Sequence, residues 1–443
     1  TMDKKILSEQ VHTIRQAFGY INRFKGRTFV IKIDGALIAH HNLPILIRDI
    51  ALLKQIGIRI VLVPGARSRI DEVLKTYRIR TRTVGGVRIS TPKSIPFIKM
   101  AAFDISNKIM TLLSESNCTA VIGNWVRARQ IGVIDGVDYR SSGRVEKLDV
   151  AIVNTLLEEG VIPIFPNIGW NAVGTPYNIS SNELAFTISR ELGAAKLFFL
   201  TDTPGVSGKQ FSIPAGMPVS SDGIVSQFNV DEAKAFLDAN AAVKSTSLLE
   251  LLKLAHNACV SGVKRVHIVD GRVEGMILKE IFSNRGLGTM VHANTFDNIR
   301  PMAYHDIPDV LSIMQPLIDN GTLIKRDPED IERSVSDYVV YEVDGTIHGC
   351  GALQRINDTA GEIAGLAVDD VYAGTGIGTK IVSFLIERAI EMRIRELFVL
   401  TTQSLDWFLP LGFKEVPVSR MPREKQKGYN ADRKSKILAY KPS

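Results

Sequence analysis

The sequence predicts an α/β chain in two parts: a large parallel sheet sandwiched between helices, then a smaller α+β part. Three observations carry this. Near-continuous apolar strands alternate with amphipathic helices as far as residue 293. From residue 296 the order changes to a helix followed by a hairpin, Val339–Val343 and Thr346–Leu353. Finally, Glu362 to Val382 reads as a strand, a loop with glycines at every second position, and a helix.

Residues 4–25 form an amphipathic helix candidate, because Ile6, Leu7, Val11, Ile14, Ala17, Phe18 and Ile21 recur at helical spacing. Lying ahead of the first core strand, it serves as an extra core helix or as an oligomerisation arm over residues 1–25. Strand Phe29–Ile33 is followed by helix Pro44–Gln55, closed by Gly57, and by strand Arg59–Val63. Pro64-Gly65-Ala66-Arg67 turns into a helix that runs through Leu74. Thr119–Ile122 and Val161–Phe165 are further buried strands. Helix Ser181–Leu192 stops at Gly193 before strand Lys196–Thr201. Helix Ser247–Val260, strand Arg265–Val269, helix Gly275–Phe282 and strand Gly288–Val291 complete a domain over residues 26–293.

In the second part, residues 296–443, Ile363–Val368 is the central strand. The helix after it places Ile377, Ile381, Leu385 and Ala389 on one row, with Val382, Ile386 and Ile390 beside it. Gly374, Gly376 and Gly378 at its N-terminus let backbone N–H groups approach a phosphate, and the helix dipole favours the anion. That describes a pyrophosphate cradle. Strand Leu397–Thr402, the segment Asp406-Trp407-Phe408-Leu409 and the turn Leu411-Gly412-Phe413 follow.

This order resembles the GNAT superfamily of acetyl-CoA-dependent N-acetyltransferases. The resemblance implies acetyl-CoA contacts at Leu366, Ala367, Val368, Gly374, Thr375, Gly376, Ile377, Gly378 and Thr379. Ala373 stands where the family usually has Gln or Arg, which leaves the backbone donors to hold that loop. A backbone N–H near Leu366 or Ala367 can polarise a thioester carbonyl, and Glu362 on the same strand can act as base, directly or through a water. Many members place a tyrosine after the next strand as proton donor to the thiolate. Here only Thr401, Thr402, Ser404 and Trp407 stand there, and Ser404 is the donor expected. Direct transfer makes Cys350 unnecessary as a nucleophile; a small apolar role is expected of it.

The first part resembles the amino-acid kinase superfamily through Val30-Ile31-Lys32-Ile33-Asp34-Gly35, Leu62-Val63-Pro64-Gly65-Ala66, Asn178-Ile179-Ser180-Ser181-Asn182 and Phe199-Leu200-Thr201-Asp202-Thr203-Pro204-Gly205-Val206. Working kinases of that family have a His-Gly-Gly-Gly loop at the second landmark and an aspartate at the end of the third. Ala66, Arg67 and Asn182 replace them, and Asp34 sets a negative charge where a triphosphate would lie. Kinase chemistry depends on that positioning, so little of it is expected.

A kinase-like domain without kinase chemistry, fused to an acetyltransferase, resembles the N-acetylglutamate synthase family along essentially the whole chain. The resemblance implies transfer of acetyl from acetyl-CoA to L-glutamate, the first step of arginine biosynthesis, under allosteric control by L-arginine. It places glutamate contacts at Lys325, Arg326, Arg433 and Ser435, and arginine contacts at His267, Glu280, Phe282, Gly286 and Gly288, with Tyr20 or Arg15 from the first helix. A carboxylate suits a guanidinium and backbone donors suit the α-carboxylate. The plainer reading, that Glu280 is a solvated helix residue and the glycines a C-cap turn, stays open. A homo-oligomer is expected, a hexamer if the first helix is an arm. A bifunctional synthase–kinase and a non-enzymatic arginine sensor are the alternatives.

Of 443 residues, 45% are hydrophobic and 23% charged, ordinary for a globular protein. The net charge of +7 lies in scattered arginines and a basic tail without interleaved aromatics, so it points to anionic ligands rather than nucleic acid. Cys118, Cys259 and Cys350 are far apart and in no metal-ligand spacing, so neither a disulfide framework nor a metal is expected. With no apolar signal core and no run of 18 apolar residues, no membrane segment is expected and the compartment is read as cytoplasmic.

Overall fold

The computed structural model describes residue 18, residues 21–22 and residues 24–442, apart from 215–216, 218, 220–222, 244–245, 283–287, 294–296, 344–345 and 370–375. Of residues 282, 297–298 and 431 only the backbone is described. Most of the expected first helix, including Tyr20 and Arg15, therefore lies outside the described residues. The chain divides into two compact units, Thr1–Asn294 and Thr295–Ser443.

The first unit is built on an eight-stranded sheet. Its strands in chain order are β1 (Thr28–Ile33), β2 (Arg59–Pro64), β3 (Ala120–Ile122), β4 (Ile162–Ile164), β5 (Lys196–Thr201), β6 (Gln227–Asn229), β7 (Arg265–Asp270) and β8 (Thr289–His292). Across the sheet they run β6-β8-β7-β5-β1-β2-β4-β3. The pairs β1–β2, β1–β5 and β5–β7 are parallel, as the apolar runs predict. β8 departs from the pattern: it pairs antiparallel with β7 and parallel with β6.

Both faces of the sheet are buried, and strand alternation divides them. Phe29, Ile31 and Ile33 pack with Leu46, Ile47 and Ile50 of helix α1 (Leu43–Gln55) and with Ile98 and Ile105 of helix α2 (Ile95–Glu115). Val30, Val61 and Val63 face the other way, onto Leu184 and Ile188 of helix α3 (Ser181–Glu191) and Leu252 and Ala255 of helix α4 (Ser247–Val260). Helix α2, unassigned by the sequence reading, starts at a Ser94-Ile95-Pro96 entry without acidic residues in its first turn. Four short strands, Val126–Gln130, Ser142–Leu148, Ile168–Trp170 and Pro176–Ile179, close into a small barrel that periodicity did not reveal.

The second unit has a seven-stranded sheet: β9 (Asp297–Pro301), β10 (Tyr338–Val343), β11 (Thr346–Arg355), β12 (Ala360–Val368), β13 (Glu396–Thr401), β14 (Lys414–Glu415) and β15 (Lys436–Tyr440), ordered β9-β10-β11-β12-β13-β15-β14. All neighbours are antiparallel except β12 and β13. Val339, Tyr341 and Val343 pack under helix α6 (Ile377–Glu391). Tyr338 and Val340 alternate onto the opposite face, under helix α5 (Ile307–Asp319).

Leu252 is fully buried between α4 and the sheet, whereas Val173 is 84% exposed. Leu252→Ala is expected to destabilise the first unit by about 2–5 kcal/mol. Val173→Ala should stay within about 0.5 kcal/mol. Urea unfolding midpoints followed side by side check the pair.

Candidate active site

The site begins where two parallel strands part. β12 and β13 pair only at Ala360–Glu396, Gly361–Leu397 and Glu362–Phe398. β13 continues to Thr401 on its other edge, against β15. Among the described residues no ladder bonds join β12 to β13 beyond Glu362. The inner edge of β12 from Ile363 to Val368 thus opens into a wedge whose backbone groups suit an incoming chain-like ligand.

A bulge lies in that free stretch. Cys350 faces Ala367 and Ala352 faces Ala364, so Gly351 alone opposes Gly365 and Leu366. Gly365 has φ +58, and a Cβ there would fall 3.0 Å from the Tyr338 hydroxyl and 3.1 Å from Met314 Cε. Only glycine fits. A bulge re-aims the amides that follow it, which are those of Leu366 and Ala367, the expected carbonyl-polarising donors. Tyr338 was not anticipated. It is a tyrosine at the bulge, reached from β10 rather than from beyond β13. Its hydroxyl accepts from Arg326 Nη1 at 2.6 Å, and burial pushes its pKa up to about 12 despite that guanidinium.

Glu362 occupies the last paired rung, at the throat of the wedge. It is buried rather than a surface carboxylate, its side chain only 9% exposed, and Lys425 Nζ rests against its Oε2. The contact is an ion pair rather than a directed hydrogen bond. Lys425 comes from the turn Arg423–Gln426, whose entry residue Met421 is buried with Ala360, Phe398 and Ile437. In the sequence Lys425 is one of the charges of the basic tail. Nothing in the local pattern marks it, because tertiary folding alone brings it to Glu362.

The helix expected after the glycines is present. Helix α6 starts from Gly376, in the left-handed region at φ 84, and its first turn holds no acidic side chain. Ile377 is buried, so that residue offers its backbone. Gly378 has a second reason to be glycine, since a Cβ there would meet the Trp407 ring at 3.0 Å. Thr379 is half-buried, as are Leu366 and Val368. Gly374 and Thr375 lie outside the described residues.

Around the residues expected to contact glutamate, three segments converge. Arg433 Nη2 donates to the carbonyls of Gly321 and Thr322, at 2.9 and 2.8 Å. Gln403 Nε2 donates to Asn320 O at 3.2 Å. These bonds set the loop carrying exposed Lys325 and half-buried Arg326 beside the end of β13, where half-buried Ser404 precedes the turn Leu405–Phe408. Ser435 is half-buried next to Arg433, and its carbonyl accepts from the Tyr429 hydroxyl at 2.9 Å.

In the first unit, His267 and Glu280 do come together. His267 Nδ1 lies 2.8 Å from Glu280 Oε1, and both side chains are buried. Glu280 is therefore not a solvated helix residue. Burial, reinforced by Lys196 and Arg265, pulls the His267 pKa down to about 4 against the pull of Glu280. The neutral ring then donates from Nδ1 to the carboxylate, which leaves Nε2 as an acceptor. Nε2 is buried and has no partner among the described residues. Gly288 is packed too tightly for a side chain, with a Cβ falling 2.3 Å from Ile268 O. Gly286, Tyr20 and the Phe282 side chain lie outside what is described.

The kinase-like landmarks line a separate cleft of about 700 Å³ in the first unit. There Lys32, 2% exposed, is neutralised by Asp34 at 2.6 Å. Burial opposes the charge of Asp34, but Lys32, the Ala36 N–H and Arg67 outweigh it and hold the carboxyl below its usual range.

Residues 27–270 match the amino acid kinase family and residues 309–413 the acetyltransferase (GNAT) family. An amino-acid acetyltransferase of Aeromonas salmonicida (strain A449) is 33% identical over 441 residues, 97% of each chain. The chain belongs to the amino-acid acetyltransferases. Another, from Salmonella typhi, is 32% identical over 449 residues, 99% of each chain. The structure of N-acetylglutamate synthase from Neisseria gonorrhoeae complexed with coenzyme A and L-arginine superposes with TM-score 0.81 at 30% identity, over 97% of this chain and 99% of that one. The same enzyme complexed with coenzyme A and N-acetyl-glutamate gives 0.61 at 30% identity, over 98% and 99%.

For an amino-acid acetyltransferase the question of an acyl-enzyme arises, and Cys350 is the cysteine at the bulge. It is fully buried, and burial pushes its thiol up to about 12. Cys350→Ala should keep acetyl transfer within about threefold of wild type, the scale of a small packing change rather than a lost nucleophile; initial rates under saturating substrates decide it.

The depressed His267 value gives a stability test. Because the folded pKa is about 4 against 6.5 for a free histidine, the unfolded state binds more protons between these pH values. Stability from His267 is therefore complete above about pH 6.5 and is lost as pH falls toward 4. The groups facing it are Glu280, Lys196 and Arg265. His267→Gln should lose less melting temperature than wild type between pH 7 and 4.5; equal losses would exclude His267 as a contributor.

Proposed function

We infer that this acetyltransferase moves the acetyl group of acetyl-CoA onto the α-amine of L-glutamate, giving N-acetyl-L-glutamate and CoA, and that L-arginine regulates it. The observation that carries the site assignment is the buried carboxylate of Glu362 at the throat of the β12–β13 wedge. The full-length likeness to an N-acetylglutamate synthase supports the substrate pair.

Acetyl-CoA supplies the acyl group as an activated thioester. The free edge of β12 fits its chain-like arm, and the N-terminus of α6 fits its pyrophosphate. In our reading Gly374, Thr375, Gly376, Ile377, Gly378 and Thr379 offer that pyrophosphate backbone donors. The N–H of Leu366 or Ala367 polarises the thioester carbonyl from the bulge. Glu362 takes a proton from the substrate ammonium, directly or through a water, and exposes the nucleophilic lone pair. Ser404 donates a hydrogen bond to the departing sulfur.

The two carboxylates of glutamate need two cationic partners. Arg326 reaches the bulge through Tyr338, and Lys325 stands beside it. Arg433 uses Nη2 to hold the Gly321–Thr322 loop, and its Nε–Nη1 edge enters no described hydrogen bond, so it presents a carboxylate fork with Ser435 nearby. For arginine, Glu280 and the acceptor Nε2 of His267 suit a donor-only guanidinium. Gly288, Gly286, Phe282 and Tyr20 complete the set we assign to the effector. We further propose a homo-oligomer, a hexamer if the first helix acts as an arm, working in the cytoplasm. Among the described residues no helix is long and apolar enough to cross a membrane.

CoA thiol release measured with and without L-glutamate tests the reading. Glu362→Gln is expected to lower kcat about 100-fold while coenzyme affinity holds, as for loss of a general base; an unchanged kcat would remove Glu362 from the chemistry. Arginine titration by calorimetry tests the second site: Glu280→Gln should weaken binding about tenfold or more, the loss of one charge-assisted pair.

A further inference from the structure

We propose that Lys425 is a self-acetylation site of this enzyme: when no amino-acid acceptor is present, its Nζ takes the acetyl group of acetyl-CoA. The inference rests on Glu362 as the base. Among the described residues Lys425 is the one cation paired with that carboxylate, so the chain's own ammonium occupies the position at the base that the substrate ammonium must take. The two groups have the same chemistry, a primary ammonium presented to a buried carboxylate at the throat of the wedge.

The delivery is built into the fold. Met421 anchors the turn in the core cluster with Phe398, which is the partner of Glu362 on the last paired rung. Gln426 Nε2 donates to Met421 O at 2.7 Å, and Lys425 N to Pro422 O at 3.0 Å, which closes the turn around that anchor. The Lys425 side chain is nevertheless 32% exposed. Its four-methylene stem is therefore not locked, and it can swing from Glu362 along β12 toward the bulge. Holding amine and thioester in one site replaces a bimolecular encounter by a local one.

The step balances without a further reagent. Glu362 removes a proton from the Lys425 ammonium, and the Nζ lone pair attacks the thioester carbonyl carbon. A C–N bond forms, the C–S bond breaks, and the thiolate leaves as CoA after taking up a proton; one proton passes to solvent. The product is a neutral amide, which can no longer pair with Glu362. Self-acetylation thereby strips the base of its counter-ion and lowers glutamate turnover in protein left with acetyl-CoA alone. L-Glutamate, by displacing Lys425 from the carboxylate, protects it.

The full chain is incubated with acetyl-CoA alone, and acetyl groups are mapped by peptide mass spectrometry over time. Lys425 should be labelled first, about 100-fold faster than exposed Lys427 and Lys441 and slowed by the same factor in Glu362→Gln, the scale of general-base catalysis. Added L-glutamate should suppress it, and Lys425→Arg should abolish the fast phase. Labelling of Lys425 at the rate of its exposed neighbours, or unchanged in Glu362→Gln, would overturn the proposal as simple chemical acetylation. Unlabelled Lys425 in protein that turns over glutamate would overturn it and leave the proposed function standing. Glutamate turnover retained by Glu362→Gln would sink the base assignment and this proposal together. Matched melting curves and coenzyme affinity establish that the variants are folded.

Discussion

Everything in the second unit follows from where the β12–β13 ladder stops. A parallel pair held over its full length would leave no opening, since both strands are buried and fully bonded. Here pairing ends at Glu362–Phe398, and β13 satisfies its outer edge against β15 instead. The exposed edge of β12 would be a liability in an ordinary sheet. At this position it is a template for a ligand that carries amide groups of its own. The bulge at Gly365 belongs to the same device, because it interrupts the β11–β12 register between Ala364 and Ala367, the stretch that carries the Leu366 amide. Glu362 stands at the hinge of the wedge, fixed by the last rung.

Burying that carboxylate creates the second constraint. An ionised group removed from water needs a partner, and the chain finds one by folding its basic tail back over the sheet. The tail is therefore more than a solvated charge run. Arg433 pins the Gly321–Thr322 carbonyls, and Lys425 meets Glu362. Other tail pairs, such as Lys436–Glu415, are surface contacts that contribute little. Burial of the partner, rather than the number of charges, separates the two groups.

Much of this was legible in the sequence. The strands Phe29–Ile33, Lys196–Thr201 and Arg265–Val269 announce themselves because both faces of a parallel sheet are apolar, and Ile377-Ile381-Leu385 does the same for α6. The small barrel did not, since strands of three to seven residues with exposed alternate positions, such as Val126–Gln130, carry little periodicity. Helix α2 was missed although it spans Ile95–Glu115, for it has no side-chain cap to mark its start. In the site, Glu362 and the glycines lie on one continuous segment and could be read as a motif. Lys425 and Tyr338 reach the same place from distant segments, and no local spacing encodes them. The tyrosine at the bulge comes from β10, not from beyond β13.

Among the described residues two Lys–carboxylate pairs have one buried partner, Lys32–Asp34 and Lys425–Glu362, and geometry sets them apart. Lys32 and Asp34 are two residues apart at one strand end, Lys32 is 2% exposed, and Asp34 also caps the next turn through the Ala36 N–H. Removing Asp34 would strand the buried Lys32 ammonium, which is strongly unfavourable. A phosphate entering that cleft would find its lysine already paired with a carboxylate. Lys425 and Glu362 meet from separate segments, and the lysine is a third exposed on a four-residue turn. Its ammonium can return to water while another ammonium takes its place, so no charge is stranded. In the first pair the buried partner is the cation; in the second it is the carboxylate, and its counter-ion reaches solvent.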